Sequence, residues 1–112
     1  MGNDCLLKPS LDELKGILDS YHLYITHIPY AGEINYRHRF IAINPDYDMI
    51  EVLAHEAHHD YFFPVDDDFV IPASQSYVKN PEVIRFLHSY IQEHGQRVDV
   101  SAIMDISRQE SH

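Results

Sequence analysis

The stretch FIAINPDYDMIEVLAHEAHH, residues 40–59, contains the signals that decide the fold. It begins with the apolar run Phe40-Ile41-Ala42-Ile43, whose β-branched and aromatic residues predict a buried strand. Asn44 and Pro45 follow, and these residue types favour the cap and the first position of a helix. Asp48 and Glu51 have capping-box-like spacing, so Asp48 offers a second possible start. The sequence therefore predicts a strand that leads directly into a helix.

That helix carries the run His55-Glu56-Ala57-His58-His59, which is an H-E-x-x-H motif. Residues at i and i+4 of a helix lie about 5–6 Å apart at Cβ, so the rings of His55 and His59 can close on one ion. Zinc accepts imidazole nitrogens at roughly 2.0–2.1 Å, and Glu56 is then a candidate general base. His58 lies about 60–100° around the helix from its neighbours, so we do not expect it to bind the same ion. The motif predicts a zinc hydrolase; the alternative is a histidine pair on a solvated face that needs no metal.

A hydrolytic zinc site usually has three protein ligands and leaves the fourth position open. The extended motif with a downstream Gly and a third His is excluded, because Phe62 and Val65 stand at those positions. A carboxylate from elsewhere must therefore complete the site. Asp60 and the run Asp66-Asp67-Asp68 are candidates, although a triple Asp in a loop is more often a solvated run.

Other histidines and tyrosines show no ligand spacing. We expect surface or structural roles for five histidines: His22, His27, His38, His88 and His94. Core packing is the expected role of three tyrosines that could otherwise supply an oxyanion donor: Tyr61, Tyr77 and Tyr90.

The remaining chain contains further helix and strand signals. Ser10 and Glu13 have capping-box spacing, and apolar residues then recur at helical intervals. We predict helices over 11–21 and from Pro81 to Gly95, and strands over 23–28 and 36–43 with a turn region at 29–35. The apolar segment 98–106 fits either element. The pattern indicates helices combined with two or three antiparallel strands.

Composition sets the broad class. The chain has 112 residues, enough for one domain over 1–112 with its own core. A net charge of −10 with eight basic residues argues against a direct nucleic-acid partner, because phosphate binding needs clustered Lys and Arg. The single Cys5 cannot form a disulfide within the chain, and there is no secretory leader pattern and no apolar run of ~20 residues. We therefore expect a cytoplasmic protein with no membrane partner.

The chain from about Leu11 to Ile91 resembles the ImmA/IrrE-type zinc endopeptidases. In that family a strand reading roughly I-x-I/L-N precedes a helix with A-H-E-L-G-H, and the corresponding residues here are Ile41-Ala42-Ile43-Asn44 and Ala54-His55-Glu56-Ala57-His58-His59. A following helix carries Glu in a context like E-A-x-x-F-A, to which Glu82-Val83-Ile84-Arg85-Phe86-Leu87 is similar. The resemblance thus implies a site with His55, His59 and Glu82 as zinc ligands. A first-turn carboxylate that only complements the helix dipole is the alternative for Glu82.

Two departures from the family pattern lie in these motifs. Ala57 and His58 replace the usual Leu and Gly, and Val83 and Leu87 replace small residues. Because His58 is bulkier than Gly, it affects how closely the neighbouring backbone can approach this helix.

The resemblance also implies a fold and a biological role. The fold is a minimal zincin-like α+β domain, with a small antiparallel sheet, the HExxH active-site helix and flanking helices on one side. The role is that of a zinc-dependent endopeptidase of bacteria or phages that cleaves or relieves a helix-turn-helix repressor. This chain has no room for a fused DNA-binding domain, so we expect a separately encoded protein substrate, and its acidic surface suits a basic partner. Alternatives are a non-proteolytic metal-binding regulatory module, an inactive structural relative and a zinc hydrolase of small molecules.

Overall fold

A four-stranded sheet with helices packed against it forms the centre of the computed structural model, which describes residues 9–61 and 75–108. The elements in chain order are α1 (Leu11–Asp19), β1 (His22–Ile25), β2 (Gly32–Asn35), β3 (Phe40–Ile43), α2 (Met49–Tyr61), α3 (Pro81–His94), β4 (Gln96–Arg97) and α4 (Val100–Arg108). Residues 75–77 are also helical. This arrangement confirms the predicted α+β class.

The sheet is mixed, so the expectation of an antiparallel sheet was wrong. The strand order is β2-β3-β1-β4, and only β2 and β3 pair antiparallel among the described strands; β1 pairs parallel with both β3 and β4. After β1 the chain crosses to the edge of the sheet, where β2 runs in the opposite direction. It then turns back and forms β3 between β2 and β1. The strand β3 therefore runs in the same direction as β1.

The reversal between β2 and β3 lies later in the chain than the predicted turn region. Residues 32–35 form strand β2, and the connection spans residues 36–39. In this connection Asn35 Oδ1 accepts a hydrogen bond of 2.8 Å from the His38 amide, and Arg39 adopts a positive φ of 56°. The strand was missed because it is a half-buried edge strand whose Gly, Glu and Asn residues are uncommon in strands.

The predicted helix caps at two helices are present. At α1, the Ser10 hydroxyl accepts from the Glu13 amide at 3.1 Å, and the Glu13 carboxylate accepts from the Ser10 amide at 2.9 Å. At α3, Asn80 Oδ1 accepts from the Glu82 amide at 2.9 Å, and Gly95 follows the last helical residue. These short-range hydrogen bonds explain why both starts could be predicted from sequence. The end of α1 at Asp19 comes two residues before the predicted one.

Of the two possible starts of α2, the structure uses Asp48. Its Oδ1 accepts from the amides of Ile50 and Glu51 at 3.1 and 3.2 Å. Asn44 is instead buried, and its side-chain amide donates to the carbonyl of Ile28 at 2.8 Å. Asn44 thus stabilises the connection between β1 and β2 and does not cap the helix.

Apolar side chains cover both faces of the sheet. The larger cluster joins α1, α2 and α3 to one face and includes Leu14, Ile41, Ile43, Leu53 and Leu87. The smaller cluster joins the opposite face to α4 and contains Ile28, Phe40, Ala42 and Ile103. The expectation of helices on one side was therefore wrong, because β3 is apolar on both faces and each face must be covered.

The segment whose type was left open, residues 98–106, lies largely in α4, which packs over the second face. Within the described ranges, none of the helices has the length and apolarity needed to cross a bilayer.

Candidate metal centre

The two motif histidines come together on the surface of α2. Both are half-buried, and their Nε2 atoms lie 3.1 Å apart. The ring centroids of His55 and His59 are 4.6 Å apart and the ring planes are inclined at 84°. The two Nε2 atoms therefore lie next to each other.

The separation of these nitrogens fits a shared metal ion. Two nitrogens bound to tetrahedral zinc at the usual bond length lie roughly 3.3 Å apart. The observed 3.1 Å between His55 and His59 is close to this value; it also matches a hydrogen bond between two imidazoles. The pair thus has the donor atoms and the spacing for two zinc ligands, and zinc itself remains a prediction.

Glu56 lies between the histidines in sequence and is buried, with 6% of its surface exposed. Its Oε2 atom would be 3.0 Å from a β-carbon placed on Gly32, and Val52 Cγ1 would be 2.5 Å from the same β-carbon. A larger residue at position 32 would require these side chains or the strand to shift. Sequence reasoning placed Gly32 in a turn, although a glycine within a strand pattern is a known sign of close backbone approach.

A cavity of about 370 Å³ opens beside Glu56. Ala31, just before β2, and Gly32, its first residue, line it on one side, and Val52, His55 and Glu56 line it from α2. This volume lies in the range of about 300–1,000 Å³ that is usual for ligand sites. The candidate base and one candidate metal ligand therefore face a space that a substrate group can enter.

The third ligand is not brought to the pair within residues 9–61 and 75–108. In this part of the chain no group of three or more His, Cys, Asp or Glu is arranged to hold a metal. Glu82 is exposed in the first turn of α3. The run Asp66-Asp67-Asp68 lies outside the described residues. The assignment of Glu82 as third ligand therefore stays a prediction.

Asp60, another candidate ligand, contacts the segment between α1 and β1. Its Oδ1 accepts a hydrogen bond of 2.6 Å from the hydroxyl of Tyr21. That hydroxyl in turn accepts from Nη1 of Arg39 at 3.2 Å. The sequence held no local signal for this contact, since Asp60 and Tyr21 are 39 positions apart.

His58 points into the core, in agreement with the expectation that it does not share the ion. It is 1% exposed, its Nδ1–H donates to the Ala54 carbonyl at 2.7 Å, and its ring meets the edge of Tyr77 at a centroid distance of 5.1 Å. Burial lowers the pKa of His58, which favours the neutral ring. The contact with Tyr77 accommodates the bulk that a histidine adds at this position.

Most of the histidines and tyrosines that were expected to be surface or core residues lie at the surface or in the core. Four histidines are exposed: His22, His27, His88 and His94. His38 is half-buried. Tyr77 and Tyr90 are buried and belong to the core, as expected, and Tyr61 is half-buried at the end of α2.

Comparison with known proteins adds no relative to this picture. The chain matches no protein-family model, no curated protein and no solved structure. The site must therefore be interpreted from its own residues.

Proposed function

We propose that this chain is a zinc-dependent endopeptidase in which His55 and His59 bind the metal and Glu56 is the general base. The observation that carries the proposal is the closeness of two imidazole nitrogens, 3.1 Å apart, next in sequence to a buried carboxylate that lines a cavity. The resemblance to the ImmA/IrrE-type endopeptidases supports the same assignment. Glu82 is the proposed third ligand.

Each residue has a defined chemical role in this proposal. When bound, zinc would supply Lewis acidity toward the scissile carbonyl. Glu56 takes a proton from the attacking water and later delivers it to the departing amine. Glu56 is buried and its carboxylate lies close to Gly32, which limits the positions that the carboxylate can take and favours proton transfer at a fixed distance.

The position of β2 supports a peptide rather than a small molecule as substrate. In the described sheet β2 is an edge strand, and its first residue, Gly32, lines the same cavity as Glu56. An extended peptide can add to a sheet edge through main-chain hydrogen bonds, and adjacent pockets then accept its side chains. A peptide aligned along β2 would pass directly beside the proposed base.

The proposed substrate is a separately encoded regulatory protein, with a cytoplasmic helix-turn-helix repressor as the first type to test. The formal net charge of −10 favours encounter with a basic DNA-binding protein. Such a partner also agrees with the biological role that the family resemblance implies.

The direct test measures metal and cleavage in the same preparation. Zinc content is determined after purification without chelators, and the protein is then incubated with a panel of helix-turn-helix repressors and with unfolded casein. We expect about one zinc per chain and cleavage that a chelator stops and zinc restores. His88→Ala, which alters an exposed histidine of α3, is the matched control and should leave both readings unchanged.

Two other results would replace the proposal. Zinc binding without cleavage of any panel member would favour the non-proteolytic regulatory module. Absence of stoichiometric zinc, with the fold intact by circular dichroism, would favour a structural histidine pair.

A further inference from the structure

The side chains of Arg39, Tyr21 and Asp60 are joined by hydrogen bonds that connect the β2–β3 connection to α2. Arg39 Nη1 donates to the Tyr21 hydroxyl at 3.2 Å, and this hydroxyl donates to Asp60 Oδ1 at 2.6 Å. The Arg39 guanidinium also lies 4.1 Å from the centroid of the Tyr21 ring. We call this arrangement the Arg39–Tyr21–Asp60 chain.

Arg39 is itself held in place at the start of this chain. Its Nη2 donates to Ser20 Oγ at 3.0 Å, and its Nε to the Ser20 carbonyl at 3.4 Å. The backbone of Arg39 adopts a φ of 56°, a left-handed conformation that is disfavoured for residues with a β-carbon. The contacts with Ser20 and Tyr21 offset that disadvantage.

Tyr21 is the link between the two charged groups. It is 7% exposed, and burial together with the hydrogen bond to Asp60 raises its pKa. The phenol therefore keeps its proton at neutral pH and remains a donor. A hydrogen bond from a buried phenol to a carboxylate is of the strong, charge-assisted kind.

The contact with Asp60 acts on the part of α2 that carries His59. In the described residues α2 spans Met49–Tyr61, and Asp60 directly follows His59 in it. Metal ligands must be held to within about 0.5 Å. His55 is one turn earlier in α2, next to the fully buried Ala54, whereas His59 is next to the residue that Tyr21 contacts.

We propose that Tyr21 is a positioning residue for the second histidine of the motif, acting through Asp60. Asp60 is then the anchor of the last turn and not the third metal ligand. Its side chain projects about 100° around the helix from that of His59, and its Oδ1 is engaged by Tyr21. The metal-binding consequence rests on the proposed function.

The test compares two conservative substitutions, each of which removes a tyrosine hydroxyl that donates to an aspartate. Tyr21→Phe removes the hydroxyl that contacts Asp60. Tyr90→Phe is the matched control, because Tyr90 is also buried and also donates to an aspartate, with 2.9 Å to Asp19 Oδ1. That second contact joins α3 to α1 and does not involve the motif helix.

Two measurements are made on each variant. Zinc affinity is determined by competition with a chromophoric chelator, and amide hydrogen exchange is determined in the metal-free protein. We expect Tyr21→Phe to weaken zinc binding about tenfold, at the lower end of the effect of removing partners behind metal ligands. Exchange should become faster in the last turn of α2 and remain unchanged in its first turn. Tyr90→Phe should change neither property of α2.

Asp60 variants separate the anchor from a ligand. Asp60→Asn keeps an oxygen that can accept from Tyr21, and we expect it to bind zinc more tightly than Asp60→Ala does. Asp60→Ala should reproduce the effect of Tyr21→Phe. If Asp60→Asn instead weakened zinc binding far more than Tyr21→Phe, Asp60 would be a ligand and the inference would be overturned.

Failure of the inference is distinguishable from failure of the proposed function. Equal zinc affinities for the two tyrosine variants would overturn the positioning role while leaving the metal site in place. If the wild-type chain bound no zinc, the proposed function would be overturned. Amide hydrogen exchange would then be the remaining test of whether Tyr21 anchors the last turn of α2. Unchanged exchange in the last turn of α2 in Tyr21→Phe would then overturn the inference.

Discussion

The Oε2 atom of Glu56 lies 3.0 Å from the position that a β-carbon on Gly32 would occupy. The edge strand and the motif helix therefore meet at the proposed general base. This contact determines how much room the carboxylate has, and it leads to the first prediction.

Gly32→Ala should disturb the candidate site through strand β2. The new methyl group would stand 2.5 Å from Val52 Cγ1 and 3.0 Å from Glu56 Oε2, so these side chains or the strand must shift. We expect a loss of about 1–3 kcal/mol in the free energy of unfolding, as is typical of overpacking. The rate of peptide cleavage should also fall, with zinc content unchanged.

Gly16→Ala is the control for this substitution. Gly16 lies within α1, and a β-carbon there meets no described atom within 4 Å. It should raise the free energy of unfolding by about 0.5–1 kcal/mol, because alanine favours helix over glycine. Urea denaturation and a cleavage assay check both variants. Wild-type stability and rate in Gly32→Ala would show that the strand and helix do not meet as described.

Glu56→Gln should abolish turnover and leave the metal in place. The amide cannot accept a proton from water, and loss of a general base costs about 10²–10⁴ in rate. The measurement is zinc content alongside the rate of cleavage of a repressor. Glu93→Gln, an equal change of charge on the exposed face of α3, should be fully active. Wild-type cleavage by Glu56→Gln would remove Glu56 from the role of base.

The adjacent histidines His58 and His59 should respond differently to removal. His59→Ala should lose zinc, because one of the two neighbouring nitrogens is removed, with a small effect on folding. His58→Ala should keep zinc and unfold more easily, by roughly 2–3 kcal/mol, since it leaves a cavity beside Tyr77 and removes the side-chain hydrogen bond to the Ala54 carbonyl. Zinc titration and thermal unfolding measure the two effects. A reversed pattern would mean that His58 is the ligand.

Glu82→Gln tests the third ligand. If Glu82 completes the site, as the family resemblance implies, zinc affinity should fall by about 10-fold or more, with folding little affected. A carboxylate that only complements the dipole of α3 would change the free energy of unfolding by about 0.3–1 kcal/mol and leave zinc binding unchanged. Zinc competition combined with urea denaturation separates the two cases. The triple variant of Asp66, Asp67 and Asp68 to Asn is the parallel test for the acidic run.

Local sequence signals predicted the parts of the structure that depend on neighbouring residues. The capping box of Ser10 and Glu13 is present, and Asn80 caps α3. The i,i+4 spacing brought the rings of His55 and His59 together. In each case the interacting residues lie within one turn of helix, so spacing along the chain determines spacing in three dimensions.

Asn44 shows where local reasoning failed. Its sequence context with Pro45 favoured a helix cap, yet its side chain donates to the carbonyl of Ile28, 16 positions earlier. A buried polar side chain takes the partners that folding brings to it. Those partners cannot be identified from the sequence around it.

By itself, the sequence determined that helices combine with strands, where α1 and α3 start, and that the motif histidines share one helical face. Only the tertiary structure decided the parallel pairing of β1 with β3, the cover of α4 over the second sheet face, and the contacts of Gly32 with Glu56 and Tyr21 with Asp60. The physical reason is the distance along the chain between the residues that interact. Hydrogen bonds within a turn follow from the order of residues, whereas strand order and helix anchoring depend on which distant surfaces bury one another.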